Sequence, residues 1–257
     1  AYVSHRHLES ATPGEPSYLS FNPYLPIMLV FGFPSATHAP LWITDARNFF
    51  ALATIGVVLG ALALARAPRD RKLRVLQVLL VLPTAALPLS TGGDDLPVVA
   101  VLLLAMVLAQ RRVPGLAGLA LGVACAMKFT AWPLAVLALF AAREKDGRRA
   151  PGKMGLGILA VTIPAVAPFA LHNARVFVTN VIAFPLGLSG ISSPAASALP
   201  GHILVSLVPA LHAVLPGVAI VGGGSVLVWR LVRHPPRSVS DVLLLAAWTV
   251  GIGILIA

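Results

Sequence analysis

Eight apolar runs, at about 48–65, 73–89, 96–110, 114–128, 130–142, 154–170, 213–233 and 239–257, occupy most of this chain and restrict it to helices in a bilayer. A helix that crosses the hydrocarbon core needs ~20 mostly apolar residues, since no water is present there to bond an open backbone. Several of the runs are short, and Pro83, Pro114, Pro133, Pro164 and Pro209 interrupt them. Broken or half-length helices persist where neighbouring helices or a water-filled cavity satisfy the freed backbone groups. The expected fold class is therefore all-α, a polytopic transmembrane helix bundle of about eight crossing segments. Composition agrees: 11% of residues are charged and 58% hydrophobic, with a mean hydropathy of +0.89, where a soluble domain carries ~25% charged residues.

The net charge of +10 raises the question of nucleic acid, but that reading needs basic residues on one solvated face with aromatics between them. Here the cations sit between the runs. Arg66, Arg69, Arg71, Lys72 and Arg74 form one cluster, Arg111 and Arg112 a second, Arg143, Lys145, Arg148, Arg149 and Lys153 a third, and Arg230, Arg233 and Arg237 a fourth. If each run crosses once, all four clusters lie on one side, which the positive-inside rule makes cytoplasmic. Anionic headgroups attract the same loops. Membrane lipids, not nucleic acid, are the expected partners of this charge.

The opposite side then holds residues 1–46, the STGGDD turn, the junction at Lys128 and the connection from about 171 to 201. The expected organisation is one membrane domain: an external loop over 1–46 and a bundle over 47–257. The chain starts at Ala1 with a polar, Pro-containing stretch and no signal peptide, so at least one more transmembrane helix is expected upstream. Within the loop, FNPYLPIMLVFGFPSATHAPLW has too few consecutive apolar residues to span, and its aromatics favour a helix lying in the interface. An ordinary re-entrant or loop segment is the alternative. Asp45 is read as the cap of the following helix.

Asp94 and Asp95 stand between two apolar runs. Thr91 or one aspartate is expected to cap the helix beginning near Leu96, with Pro97 in its first turn. Capping uses one carboxylate. The second is a candidate to bind a divalent cation beside a lipid phosphate, or an acceptor hydroxyl; no other cofactor is implied. Lys128 lies alone between two runs whose far ends carry arginines. It is either a functional ion or a lysine snorkelling to outer headgroups. Gly118 and Gly122 form a G-x-x-x-G, which reads as close helix packing. Cys125, the single cysteine, reads as a small buried hydrophobe.

His172 and Arg175 open the later external connection at the membrane boundary, where a cation meets a lipid phosphate or anchors the helix end. Phe184, Pro185 and Leu186 are candidates to re-enter the interface, and SGISSPAASALPG reads as a flexible turn. The triplet Gly222, Gly223, Gly224 implies close packing or a local kink. No metal-ligand spacing, phosphate loop or nucleophile elbow is present.

The stretch from Gly92 through Ala150 resembles the central block of glycosyltransferase family 87, integral membrane enzymes of the C-type superfamily that use polyprenyl-phosphate sugars. That block runs from a polar turn through a helix and a basic loop to AG-x-x-x-G-x-x-x-x-x-K, then a proline-containing helix and a second basic loop. The corresponding residues here are Ala117, Gly118, Gly122, Lys128 and Pro133. TNVIAFPLGLSGISSP is similar to an external segment of actinobacterial members. The polar turn departs from the family's common Gly-Gln and later Asn, having Gly93, Asp94 and Asp95 instead.

The resemblance implies transfer of a sugar, mannose or another hexose, from a polyprenyl-phosphate donor to a lipid or glycan acceptor. It implies a multi-pass protein of a bacterial plasma membrane with its site facing outside, within the cell envelope. Substrate-binding candidates are Asp94, Asp95, Lys128, His172 and Arg175. The superfamily's catalytic carboxylate lies in the first external loop and is expected upstream of Ala1, so no catalytic residue is assigned. The competing class is a transporter or flippase of lipid-linked sugars, which an inverted internal repeat would favour; none is visible. A non-enzymatic scaffold is the third class.

Overall fold

The computed structural model describes residues 16–37, 39–191, 200–212, 214–236 and 238–256. Among them the regular structure is helical throughout, with no strand, so the all-α expectation holds. The chain divides into two compact units, one of residues 25–165 and one combining 1–24 with 166–257.

In the first unit α1 (Ala46–Leu64) follows a helical turn at Leu41–Thr44. Next come α2 (Arg69–Leu76), a π-helical continuation over Gln77–Val81, and α3 (Pro83–Thr91). α4 spans Asp95–Gln110, α5 Pro114–Cys125 and α6 Trp132–Asp146, and α7 (Ala150–His172) begins in this unit, its residues from 166 on being counted with the second. Asp45 caps α1 as expected, its Oδ1 accepting from the Arg47 amide at 2.9 Å. Val58, Leu62 and Ala100 form a buried cluster joining α1 to α4, with Val75, Leu76 and Leu79 of the return segment packed on it.

Two ends of this unit are chemically distinct. At one, the Arg111 guanidinium after α4 donates to the Leu64 carbonyl at the end of α1, 2.9 Å away. At the other, Gly92 before α4 lies against the Arg47 side chain at the start of α1. α1 and α4 thus run parallel, and α2 to α3 is the return. That return bends by 49°, because Pro83 follows the extended residue Leu82 (ψ 143°) and cannot continue the ladder.

The apolar runs do not all become long helices. Trp42–Leu64 and Ala150–His172 are long and apolar enough to cross a membrane, and the bent pair makes a third if taken as one span. The run at 96–110 is a helix of 16 residues and that at 114–128 one of only 12, about 24 and 18 Å of rise against a ~30 Å hydrocarbon core. Composition cannot separate a full crossing from a helix that stops early at a turn.

The G-x-x-x-G expectation is met. A methyl at Gly118 would lie 2.1 Å from the Met154 carbonyl oxygen and one at Gly122 2.7 Å from that of Ile158, so α5 and α7 touch backbone to backbone. Thr162 Oγ1 donates to the Gly122 carbonyl across the same contact, at 3.4 Å. Cys125 is buried.

In the second unit, Asn173 caps α8 (Ala174–Val178), which continues as a π-turn over Thr179–Ala183. The buried Asn180 donates through Nδ2 to the Val176 carbonyl (2.9 Å), and its Oδ1 accepts from the Asn22 amide (2.8 Å). Phe184 stacks on Phe21 at 4.4 Å and is buried; the Asn22–Asn180 bond holds the neighbouring backbones together. The Ser- and Pro-rich turn over 189–201 lies largely outside the described residues, as do residues 1–15 of the expected external loop. α9 (Pro200–Leu207) and α10 (Val214–Val218) follow, then a π-turn over Ala219–Gly223, α11 (Gly224–Arg233) and α12 (Val239–Ile256). Around Gly222, Gly223 and Gly224 an added methyl would meet nothing within 4 Å, so the glycine triplet marks a wide helical turn and not a close contact.

Candidate functional site

Three of the five candidates meet at one point. α3 ends at Gly92, whose φ of 91° an L side chain rarely adopts, and the Gly92 and Gly93 amides both donate to the Pro88 carbonyl (2.9 and 2.6 Å). A methyl at Gly93 would fall 2.5 Å from Pro88 Cβ, so the glycines keep the turn tight. This turn delivers Asp94 and Asp95 to the start of α4.

Lys128 arrives from the far side. α5 stops at Cys125, and Lys128 itself is extended (φ −154°, ψ 142°) before a 3₁₀ turn over Phe129–Ala131 leads into α6. Such a break in an apolar setting frees carbonyls that need donors. Each finds one: the Trp132 indole donates to Cys125 (3.0 Å), the Ile27 amide to Ala126 (3.0 Å) and the Leu25 amide to Met127 (3.1 Å). The segment expected to lie in the interface is thus a 3₁₀ helix, Pro26–Ala36, whose entry pins the Lys128 loop.

The Lys128 ammonium donates to Asp94 Oδ2 at 3.1 Å and to Asp95 Oδ1 at 2.6 Å. Lys128 and Asp94 are 22% and 24% exposed at the side chain, Asp95 64%. Asp94 occupies the cap position of α4 without making a side-chain cap bond, and the Thr91 hydroxyl turns back to the Leu87 carbonyl. The capping expectation is therefore corrected: a neighbouring ammonium outcompetes the first-turn amides for the carboxylates.

Arg47, which the sequence reading did not single out, completes the corner. Its stem crosses Gly92, and its guanidinium grips Asp45 through Nε (2.9 Å) and Nη2 (2.5 Å). No sequence signal marks that contact, because a glycine after a helix is already accounted for by the left-handed helix end. Exposed Phe129 and Trp132 stand beside Lys128 with ring centroids 5.8 Å apart. Three carboxylates face two cations, so the corner is polar and net negative at the end of apolar helices. Chemically, an exposed carboxylate here can accept a hydroxyl proton or hydrogen bond, and the ammonium can meet a phosphate oxygen.

His172 and Arg175 belong to the second unit. His172 is the last residue of α7 and Arg175 lies in α8, both exposed. Among the described residues no group of three or more His, Cys, Asp or Glu is placed to hold a metal ion; the cation between Asp94 and Asp95 is the lysine.

No curated protein and no solved structure matches the chain. Glycosyltransferase family 87 matches it over residues 22–256, which takes in the GGDD turn, the glycine-packed helix and Lys128. By that match across nearly its whole length the chain belongs to glycosyltransferase family 87, and is a membrane glycosyltransferase.

Proposed function

We propose that this protein transfers a hexosyl group, such as mannose, from a polyprenyl-phosphate donor to a lipid or glycan acceptor at the extracytoplasmic face of a bacterial plasma membrane. The observation that carries the reading is the Asp94–Lys128–Asp95 cluster, an ionic corner at helix ends within an apolar chain. An ionisable group in such a setting marks a substrate site by default. Its location supports the sidedness: within the first unit it lies at the end away from Arg111, one of the basic loops that the positive-inside rule assigns to the cytoplasm. In this reading the eight apolar runs place residues 1–46 and 171–201 on the outer side; two helices, or three with the bent pair taken as one span, are long and apolar enough to cross by themselves.

In this reading Lys128 meets the donor phosphate and Asp95 the acceptor hydroxyl, while Asp94 holds the lysine. His172 and Arg175, in the second unit, are read by themselves as cations for a lipid phosphate at the membrane boundary. The acceptor O–H bond breaks with its proton passing to a carboxylate, the acceptor oxygen bonds the anomeric carbon, and the sugar–phosphate bond breaks with its electron pair leaving on polyprenyl phosphate. The ammonium stabilises the charge that develops there.

The test is transfer of labelled mannose from polyprenyl-phosphate mannose to lipid acceptors in membranes holding the parent protein, Asp95→Asn or Lys128→Ala at matched levels. Parent activity is expected to fall about 100-fold or more in Lys128→Ala. Transfer surviving both substitutions returns the cluster to a structural role. Absence of transfer with several polyprenyl-linked sugars favours a carrier of lipid-linked sugars.

A further inference from the structure

A second feature lies apart from the ionic corner, at the opposite end of the first unit. α5 and α7 approach backbone to backbone at Gly118, Gly122 and Gly157, with exposed side chains on both sides of the contact. Gly157 is buried, a methyl there meeting the Gly115 carbonyl oxygen at 2.6 Å. Between these side chains runs a groove of about 650 Å³. Its length is lined by Leu116, Leu119, Leu156 and Ala160, all exposed, and its mouth by Arg112 and Lys153.

Arg112 is, among the described residues, the non-glycine position with a positive φ (59°). It ends the turn after α4, its amide donating to the Ala109 carbonyl at 3.1 Å. Lys153 comes from the first turn of α7. Two cations, one from the turn after α4 and one from the first turn of α7, therefore line the same open apolar groove. Neither soluble anions nor a purely apolar ligand matches both parts. An amphiphile with an anionic head and a long acyl tail does.

We propose that this groove is a binding site for an anionic phospholipid, its phosphate between Arg112 and Lys153 and one acyl chain along Leu116, Leu119, Leu156 and Ala160. Basic pockets between helices hold such headgroups by charge while the tail fills the cleft. The site is separate from the Asp94–Lys128–Asp95 cluster, because α5 has one end at each. A lipid here would brace the α5–α7 pair whose other end carries Lys128.

The test is native mass spectrometry of the purified full-length protein in detergent, titrated with dioleoyl phosphatidylglycerol or dioleoyl phosphatidylcholine. The parent is expected to retain phosphatidylglycerol preferentially, and Arg112→Gln with Lys153→Gln to weaken it about 30-fold, two interfacial cations being lost. Ala160→Phe, which leaves both charges and fills the channel, is expected to weaken it as well. Arg69→Gln with Arg71→Gln removes two exposed cations outside the groove and is expected to change binding less than twofold, roughly the level of screened surface charge. The proposal is overturned if phosphatidylcholine binds as well as phosphatidylglycerol, or if the two double variants behave alike. It also fails if Ala160→Phe binds like the parent, or if millimolar inorganic phosphate displaces the lipid, which would make the mouth a simple anion site.

Discussion

Lys128 pairs with Asp94 and with Asp95, and distance and burial rank these two pairs in opposite order. Asp95 is the nearer, at 2.6 Å, but 64% exposed; Asp94 is at 3.1 Å and 24% exposed. Two unit charges 4 Å apart are worth about 1 kcal/mol in bulk water and about 4 at an effective dielectric of 20, before desolvation and side-chain entropy are subtracted. An exposed pair retains about 0.5 kcal/mol of that, whereas a sheltered, charge-assisted bond retains about 1.5–2. Burial should win. Double-mutant cycles with Lys128→Gln, Asp94→Asn and Asp95→Asn, read from reversible unfolding in mixed micelles by circular dichroism, measure both couplings. We expect the Asp94 coupling to be about three times the Asp95 coupling, and only the latter to shrink when salt is raised to ~1 M. An Asp95 coupling equal to or larger than that of Asp94 would refute the argument that shelter, not proximity, sets the strength of this cluster.

Three further outcomes follow from the glycines. Gly118→Ala brings a methyl to 2.1 Å from a backbone oxygen; ordinary C···O contact is ~3.3 Å, so the helices must part by about 1 Å, lowering stability by about 1–3 kcal/mol. Gly56→Ala in α1, where the methyl meets nothing within 4 Å, should raise stability by up to ~1 kcal/mol, and thermal melts in detergent compare the two. Gly92→Ala must hold a φ of 91° and drive its methyl into the Arg47 stem. A loss of about 1–2 kcal/mol is expected from the backbone alone, and the melt should drop less if Arg47→Ala is added, because the collision is then removed.

Much of the fold was legible because hydrophobic runs and charge segregation are local properties. The all-α class, the Asp45 cap, the close packing at Gly118 and Gly122 and the burial of Cys125 each follow from a few neighbouring residues. Helix length was less so. The run at 114–128 reads as continuous, yet ends at Cys125 because Trp132, Ile27 and Leu25 offer donors to the last carbonyls. A helix can stop in an apolar setting only where such donors exist, and they come from distant parts of the chain. The capping expectation for Asp94 failed for the same reason: local amides were the visible partners, and the winning one lay 34 residues away.

By itself the sequence determined that this is a helical membrane protein with its cations gathered in a few loops, and it singled out the Asp94–Asp95 pair and Lys128 as candidates, with capping and snorkelling as their alternatives. Only the tertiary structure decided that they form one cluster, that Arg47 flanks it over Gly92, and that Arg112 and Lys153 share a groove. Periodicity and charge placement are written within a helix turn or two, whereas an ion pair depends on which helix ends are brought together. That is set by the parallel run of α1 and α4 and by the glycine contact of α5 with α7, through backbone approach that no single segment encodes.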